Sequence, residues 1–168
     1  MLIKTLPLGP VSANCYIISD GDYGAVIDPG DYNVHLVDTI LKSGIKKLEY
    51  IICTHGHFDH IAGVKKLKDR FPDAKIVIGE GDAPCLGDNH LSAAAFFGMA
   101  IYFCNADVTV KDGDVLNIGS IPFRVISMSG HTVGGIMIYS QEQKVAFTCD
   151  TLFKGGFGRT DLPGGSHA

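Results

Sequence analysis

What this sequence lacks narrows its class before any motif is read. It has no apolar run long enough to span a bilayer, so a membrane role is not expected. It has no long basic run: 14 Lys and Arg stand against 18 Asp and Glu, for a net charge of −4. The nearest basic cluster, Lys65, Lys66 and Lys68, alternates with apolar residues at helical spacing and reads as a solvated helix face. Nucleic acid is therefore not an expected partner. There is no C-x-x-C pair among the 5 cysteines, an odd number. Cys15, Cys53 and Cys149 sit in or beside apolar, strand-like runs, where a free thiol packs as a small hydrophobe. Disulfides are not expected and a reducing, cytoplasmic compartment is. The first residues, Met1-Leu2-Ile3-Lys4, show no charged stretch leading into an apolar secretory segment. No repeat and no linker interrupt the chain, so residues 1–168 read as a single domain. At 46% hydrophobic and 19% charged residues it can bury a real core.

The local patterns predict an α/β chain. Residues 14–18 and 24–27 are short apolar runs around Asp20-Gly21-Asp22 and predict a β-hairpin. Val34, Leu36, Val37, Ile40 and Leu41 recur at three and four spacing before Gly44, an amphipathic helix over 33–43 with a glycine stop. Residues 48–53 and 74–78 predict buried strands, with a helix over 61–70 between them closed by Phe71-Pro72. The stretch 82–103 predicts a short helix and a connection near the site. From Asp107 onward the texture is β, with strands over 108–110, 115–118 and 121–126 and a hairpin of 136–139 with 144–147. Gly is frequent, at 21 residues, and clusters after strands and near the end, as in folds whose loops carry chemistry on a β scaffold.

The segment His55-Gly56-His57-Phe58-Asp59-His60 follows a buried strand, where α/β proteins present ligands. Two imidazoles two residues apart converge on one cation when the backbone is extended or turning. Asp59 and His60 then offer a carboxylate and a ring to a neighbouring point. This is the nitrogen and oxygen donor set that Zn²⁺ and non-haem iron prefer. His131, in Ser129-Gly130-His131-Thr132, follows another strand, and Asp150, in Thr148-Cys149-Asp150-Thr151, ends a third. A mouth-facing aspartate needs a partner, which a metal supplies.

Taken together, T-H-G-H-F-D-H, S-G-H-T, C-D-T-L-F and G-G-F-G-R-T-D-L-P-G-G resemble the glyoxalase II-like, or hydroxyacylglutathione hydrolase-like, branch of the metallo-β-lactamase superfamily. The resemblance runs from Gly9 to Gly165. It implies a four-layer αββα sandwich with the site at one edge between two sheets. It implies that His55, His57 and His131 hold a first metal, that Asp59 and His60 hold a second, and that Asp150 bridges them. One or two Zn ions are expected, with Fe or Mn as alternatives. The family's last histidine, on a Gly-His-Gly-type segment, has no counterpart before Ala168, and His167 matches no family ligand. The C-terminal end of the sandwich is accordingly expected to be incomplete, as in a truncated form of a longer enzyme. Cys149 stands where the family usually has glycine; a packed strand-end residue, a side chain crowding the site and a soft ligand are its three readings.

The function implied is a thioesterase acting on acyl-thiol, hydroxyacylglutathione-like small molecules through a metal-bound hydroxide. A thiolate leaving group needs little protonation. In a one-metal variant Asp59 would orient the attacking water and accept its proton, and Asp28 would fix an imidazole or cap the Asp-Pro-Gly turn. Arg159 would grip an anionic substrate or pair with Asp161. Two alternatives stand beside this: a mononuclear iron persulfide dioxygenase, which the sequence also resembles, and a degenerate, non-catalytic metal-binding domain. A poorly closed variant of the last would need a partner chain, such as a second copy in a homo-oligomer, over its open edge.

Overall fold

The central strands end in runs of consecutive buried residues, so both faces of the sheet need covering. In β4 (Lys47–Cys53), Ile51 and Cys53 face one way and Ile52 the other, and all three are inaccessible. The same alternation sets Val26 against Ala25 and Ile27 in β3 (Tyr23–Ile27), and Ile76 and Ile78 against Val77 in β5 (Lys75–Gly79). The computed structural model describes residues 1–166 and supplies one cover for each face.

The first sheet runs β1 (Leu2–Leu8), β2 (Ala13–Asp20), β3, β4, β5 and β6 (Val108–Val110). Its first pairs are antiparallel, and β3 through β6 are parallel. The second sheet runs β10 (Val145–Phe147), β9 (Ile136–Ser140), β8 (Ile121–Ser127) and β7 (Val115–Ile118), antiparallel throughout. One face of the first sheet packs on Leu36 and Ile40 of α1 (Val34–Lys42), Phe58 and Ile61 of α2 (Phe58–Ile61) and Val64 and Leu67 of α3 (Val64–Arg70). The other packs on Leu116, Ile118, Phe123, Val125, Ile136 and Ile138 of the second sheet. Helix, sheet and sheet are thus three layers of the expected four; on the outer face of the second sheet, where Arg124 is exposed, no helix lies among the described residues.

The hairpin forms with Tyr16 opposite Ile27, and α1 is capped by Asn33, whose side chain accepts the Leu36 N–H at 3.0 Å. The helix expected over 61–70 instead starts inside the histidine motif and is broken at Gly63. There the Gly63 N–H donates to the Pro29 carbonyl at 2.8 Å, and a side chain would collide with the backbone of Asp31. The short helix expected within 82–103 is replaced by 3₁₀ turns, Glu80–Gly87 and Ala94–Phe97. Ala93 and Gly98 take φ of +62° and +65° and stop the second at both ends. All cysteines are free; Cys15 and Cys53 lie in the helix-side core, whereas Cys149 lies on a 3₁₀ turn (Cys149–Thr151) beyond β10. No helix of the described residues is long and apolar enough to cross a membrane.

Candidate metal centre

The site forms where β3, β4 and β5 end and meet the loops after β8 and β10. Asp28, at the end of β3, accepts the Thr54 N–H at 2.7 Å and its hydroxyl at 2.6 Å, fixing the exit of β4. The Thr54 carbonyl in turn accepts the Ile136 N–H at 2.8 Å, which ties that exit to the second sheet. One residue that sequence reasoning passed over completes the frame. Asp82, only 2% exposed, accepts the Gly56 N–H at 2.9 Å and the Gly134 N–H at 2.7 Å. It therefore joins the loop of His55 and His57 to the loop of His131. Its only signal in the sequence is an acid near the end of an apolar strand; its partners lie 26 and 52 residues away.

Two donor groups result. His55, His57 and His131 bring one ring nitrogen each within 4.8 Å of one another, and Asp59, His60 and Asp150 do the same with their own ligand atoms. Asp59 and His60 project from α2, one turn beyond His57. Asp150 lies between the groups: one oxygen is 3.5 Å from His60 Nε2 and the other 3.9 Å from His131 Nε2. All six expected ligands are thus brought together; His167 lies outside the described residues. A third grouping joins His55, His60 and Cys149.

The rings are held from behind. His131 Nδ1 donates to the Arg159 carbonyl at 2.7 Å, which leaves the lone pair on Nε2, 2.9 Å from His57 Nδ1. His60 Nδ1 faces Asp28 at 3.2 Å. Outer partners of this kind fix the tautomer and orientation of metal-binding imidazoles. Gly158 lets the last loop come this close: a Cβ there would overlap the Asp150 carbonyl oxygen and stand 3.1 Å from His131 Nδ1.

Burial and charge separate the groups. Burial, then the neighbouring rings of His60, His57 and His131, pushes His55 well below the ordinary histidine range. Burial with His131, His60 and Arg159 pushes His57 down to about 3, against a smaller opposing effect of the Pro163 backbone. Both rings are neutral at pH 7, the form that binds metal. His60 goes the other way. Burial opposes its charge, but the Cys149 sulfur and the Asp28 carboxylate outweigh it and raise the ring well above its usual value. Burial, partly offset by His60 and His131, raises Asp150.

A divalent cation fits these residues. His55 Nε2 is buried with no hydrogen-bond partner, an arrangement that costs free energy unless a ligand fills it. The donors are imidazoles and carboxylates, the set that takes zinc or iron. Above them opens a cavity of about 490 Å³, walled by Val11, Phe97, Phe153 and Leu162 among others. Arg159 also lines it, but its guanidinium is held by Asp161 through two bonds of 2.6 and 2.8 Å. Its backbone carbonyl, not its charge, is what touches the histidines.

The model of the metallo-beta-lactamase superfamily matches residues 8–168, and the chain belongs to that superfamily. It is 33% identical to the hydroxyacylglutathione hydrolase GloC of Haemophilus influenzae, over 99% of this chain and 79% of that protein. Among solved structures, BLEG-1, a B3 metallo-beta-lactamase, superposes with a TM-score of 0.91 at 31% identity, over 99% of this chain and 80% of that one. TTHA1623, solved in a di-iron-bound form, superposes with a TM-score of 0.84 at 31% identity, over 96% of this chain and 79% of that one.

Proposed function

We propose that this member of the superfamily is a metal-dependent thioesterase acting on acyl-thiol substrates of the hydroxyacylglutathione type. The observation that carries the reading is the pair of adjacent donor groups, with Asp150 of the second facing His131 of the first, at the floor of an open cavity of about 490 Å³. The relationship to a protein named as a hydroxyacylglutathione hydrolase supports the substrate class. His55, His57 and His131 would hold one zinc ion, Asp59 and His60 a second, and Asp150 would face both. A metal bound there supplies positive charge that acidifies water and stabilises the oxyanion formed at the attacked carbonyl.

The chain's own residues account for the rest. The buried rings keep their lone pairs at neutral pH because desolvation disfavours their protonation. Asp59 lines the cavity floor with 18% of its side chain exposed, and with only the first metal bound it would orient water and take its proton. A thiolate leaves without a proton donor, so no acid is needed on the far side of the cavity. Apolar side chains of Val11, Phe97, Phe153 and Leu162 shield the carbonyl from bulk water.

The test is release of free thiol from a hydroxyacyl thioester of glutathione by the zinc-loaded protein, beside oxygen uptake by the iron-loaded protein with a glutathione persulfide. Thiol release that Asp59→Asn lowers about a hundredfold fits the proposal. Oxygen uptake without thioester cleavage would establish a dioxygenase instead, and metal binding without either reaction a non-catalytic domain.

A further inference from the structure

Among the histidines of the centre, His131 and His60 have conventional outer partners, a carbonyl and a carboxylate. His55 does not. Its Nδ1 faces the Cys149 sulfur at 2.8 Å, and the same sulfur is 3.9 Å from His60 Nδ1. One thiol thus sits behind two rings that belong to different donor groups. The backbone at Cys149 has φ of +48°, in the left-handed region that glycine occupies freely and other L-residues seldom do. Its sulfur lies against His55 and His60, and its turn shares a small pocket with Asp28 and Tyr16. The other ring nitrogen of His55, Nε2, is buried with no hydrogen-bond partner, and the ring belongs to the donor group of His57 and His131.

We propose that Cys149 is a positioning residue of the metal centre, its sulfur accepting the Nδ1–H of His55 so that Nε2 is held toward the first donor group. The inference rests on the metal-centre reading, not on the thioesterase assignment. An imidazole has one proton to place when neutral, and whichever nitrogen is engaged behind determines which lone pair faces the metal. Removing such an outer partner typically lowers metal affinity about 10- to 100-fold. Sulfur is a weaker acceptor than a carboxylate but a large one, and it fills the space behind both rings. In this role it stands behind the rings and is not itself a ligand.

The test uses the whole chain with Cys149→Ala, Cys149→Gly and Cys149→Ser. Cys149→Gly removes the thiol while relieving the backbone, which guards against a variant that fails to fold. Zinc affinity would be measured by competition with a chelator, and the His55 Nδ1–H of the zinc-loaded protein followed by nitrogen-edited NMR. Zinc affinity should fall about 10- to 100-fold in the Ala and Gly variants, and the His55 proton should exchange rapidly with water. Cys149→Ser should recover most of both. Wild-type affinity and an unchanged His55 proton in Ala and Gly would overturn the role and leave a packing residue. A sulfur-to-cobalt charge-transfer band in the cobalt-loaded wild type would overturn it in favour of direct ligation. A wild-type chain that takes up no zinc would overturn the metal reading and this role with it, whereas failure to cleave thioesters would leave it standing.

Discussion

The two donor groups sit side by side and are built on opposite principles. His55, His57 and His131 are no more than 5% exposed, and rings of different loops meet edge to face at 4.6–4.8 Å. Asp59 and Asp150 keep 18% and 33% of their side chains exposed, and they crowd a third acid, Asp28, around His60. The first group can exist without a metal as packed neutral aromatics. The second sets three carboxylates around His60, whose ring they help hold toward its charged form, and a cation there relieves their mutual repulsion. Structure without metal therefore costs more solvation at the first group and more charge at the second.

Breaking the first group should have the largest effect. His57→Ala removes one of three neutral donors, and thioesterase activity should fall roughly a thousandfold or more, the several kcal/mol that a metal's charge contributes. If the activity of His57→Ala stays within a few-fold of wild type, the first group is not where catalysis occurs. Asp82→Ala attacks the frame common to His55, His57 and His131. It strips a fully buried acceptor from the Gly56 and Gly134 N–H groups, and stability should drop by about 2–4 kcal/mol in denaturant unfolding. An unchanged unfolding midpoint would mean that water replaces the carboxylate and that the two loops are not tied through it.

Acid should expose the contrast between neutral and charged groups in the metal-free protein. His55 and His57 have depressed values in the fold, so below the ordinary value near 6.5 the unfolded chain binds protons that the fold refuses. Their contribution to stability is complete above that point and is lost as pH falls toward about 3, the folded value of His57. His60, raised in the fold, gives the opposite dependence: its contribution is complete below the ordinary value and is lost as pH rises. Chelator-treated protein should therefore unfold at lower denaturant at pH 5 than at pH 6.5; equal midpoints would contradict the burial argument. The smallest effect is expected outside both groups. Arg159→Ala breaks only an exposed pair with Asp161 and keeps the carbonyl that holds His131, so kcat should stay within about twofold. A large rise in KM for an anionic thioester would show that the guanidinium leaves Asp161 to hold substrate.

Much of this was legible in the chain. The buried strands, the helix ending before Gly44 and the loop positions of the six donor-type residues can all be read from residues close in sequence. Their physics is local: a buried strand delivers His55 and His57 together, and one helical turn delivers Asp59 and His60. What was not legible depends on distant contacts or on backbone angles. The left-handed angle at Ala93 broke an apolar stretch that reads as helix. Asp82 acquires its role only from N–H groups of remote loops. For Cys149 the sequence leaves a packed residue, a crowding side chain and a soft ligand open, and only the turn at φ +48° shows its sulfur against His55. Of the two roles the sequence offers Arg159, the fold shows the pair with Asp161, while the bond of its carbonyl to His131 depends on a contact 28 residues away.

The central claim is that two groups sharing Asp150 make one metal centre. It is met most directly by titrating metal-free protein with zinc and counting the equivalents bound by wild type, His57→Ala and Asp150→Asn. Two equivalents in wild type are predicted, with the first lost in His57→Ala and both weakened in Asp150→Asn. No binding by wild type, or the same binding in all three proteins, would contradict it.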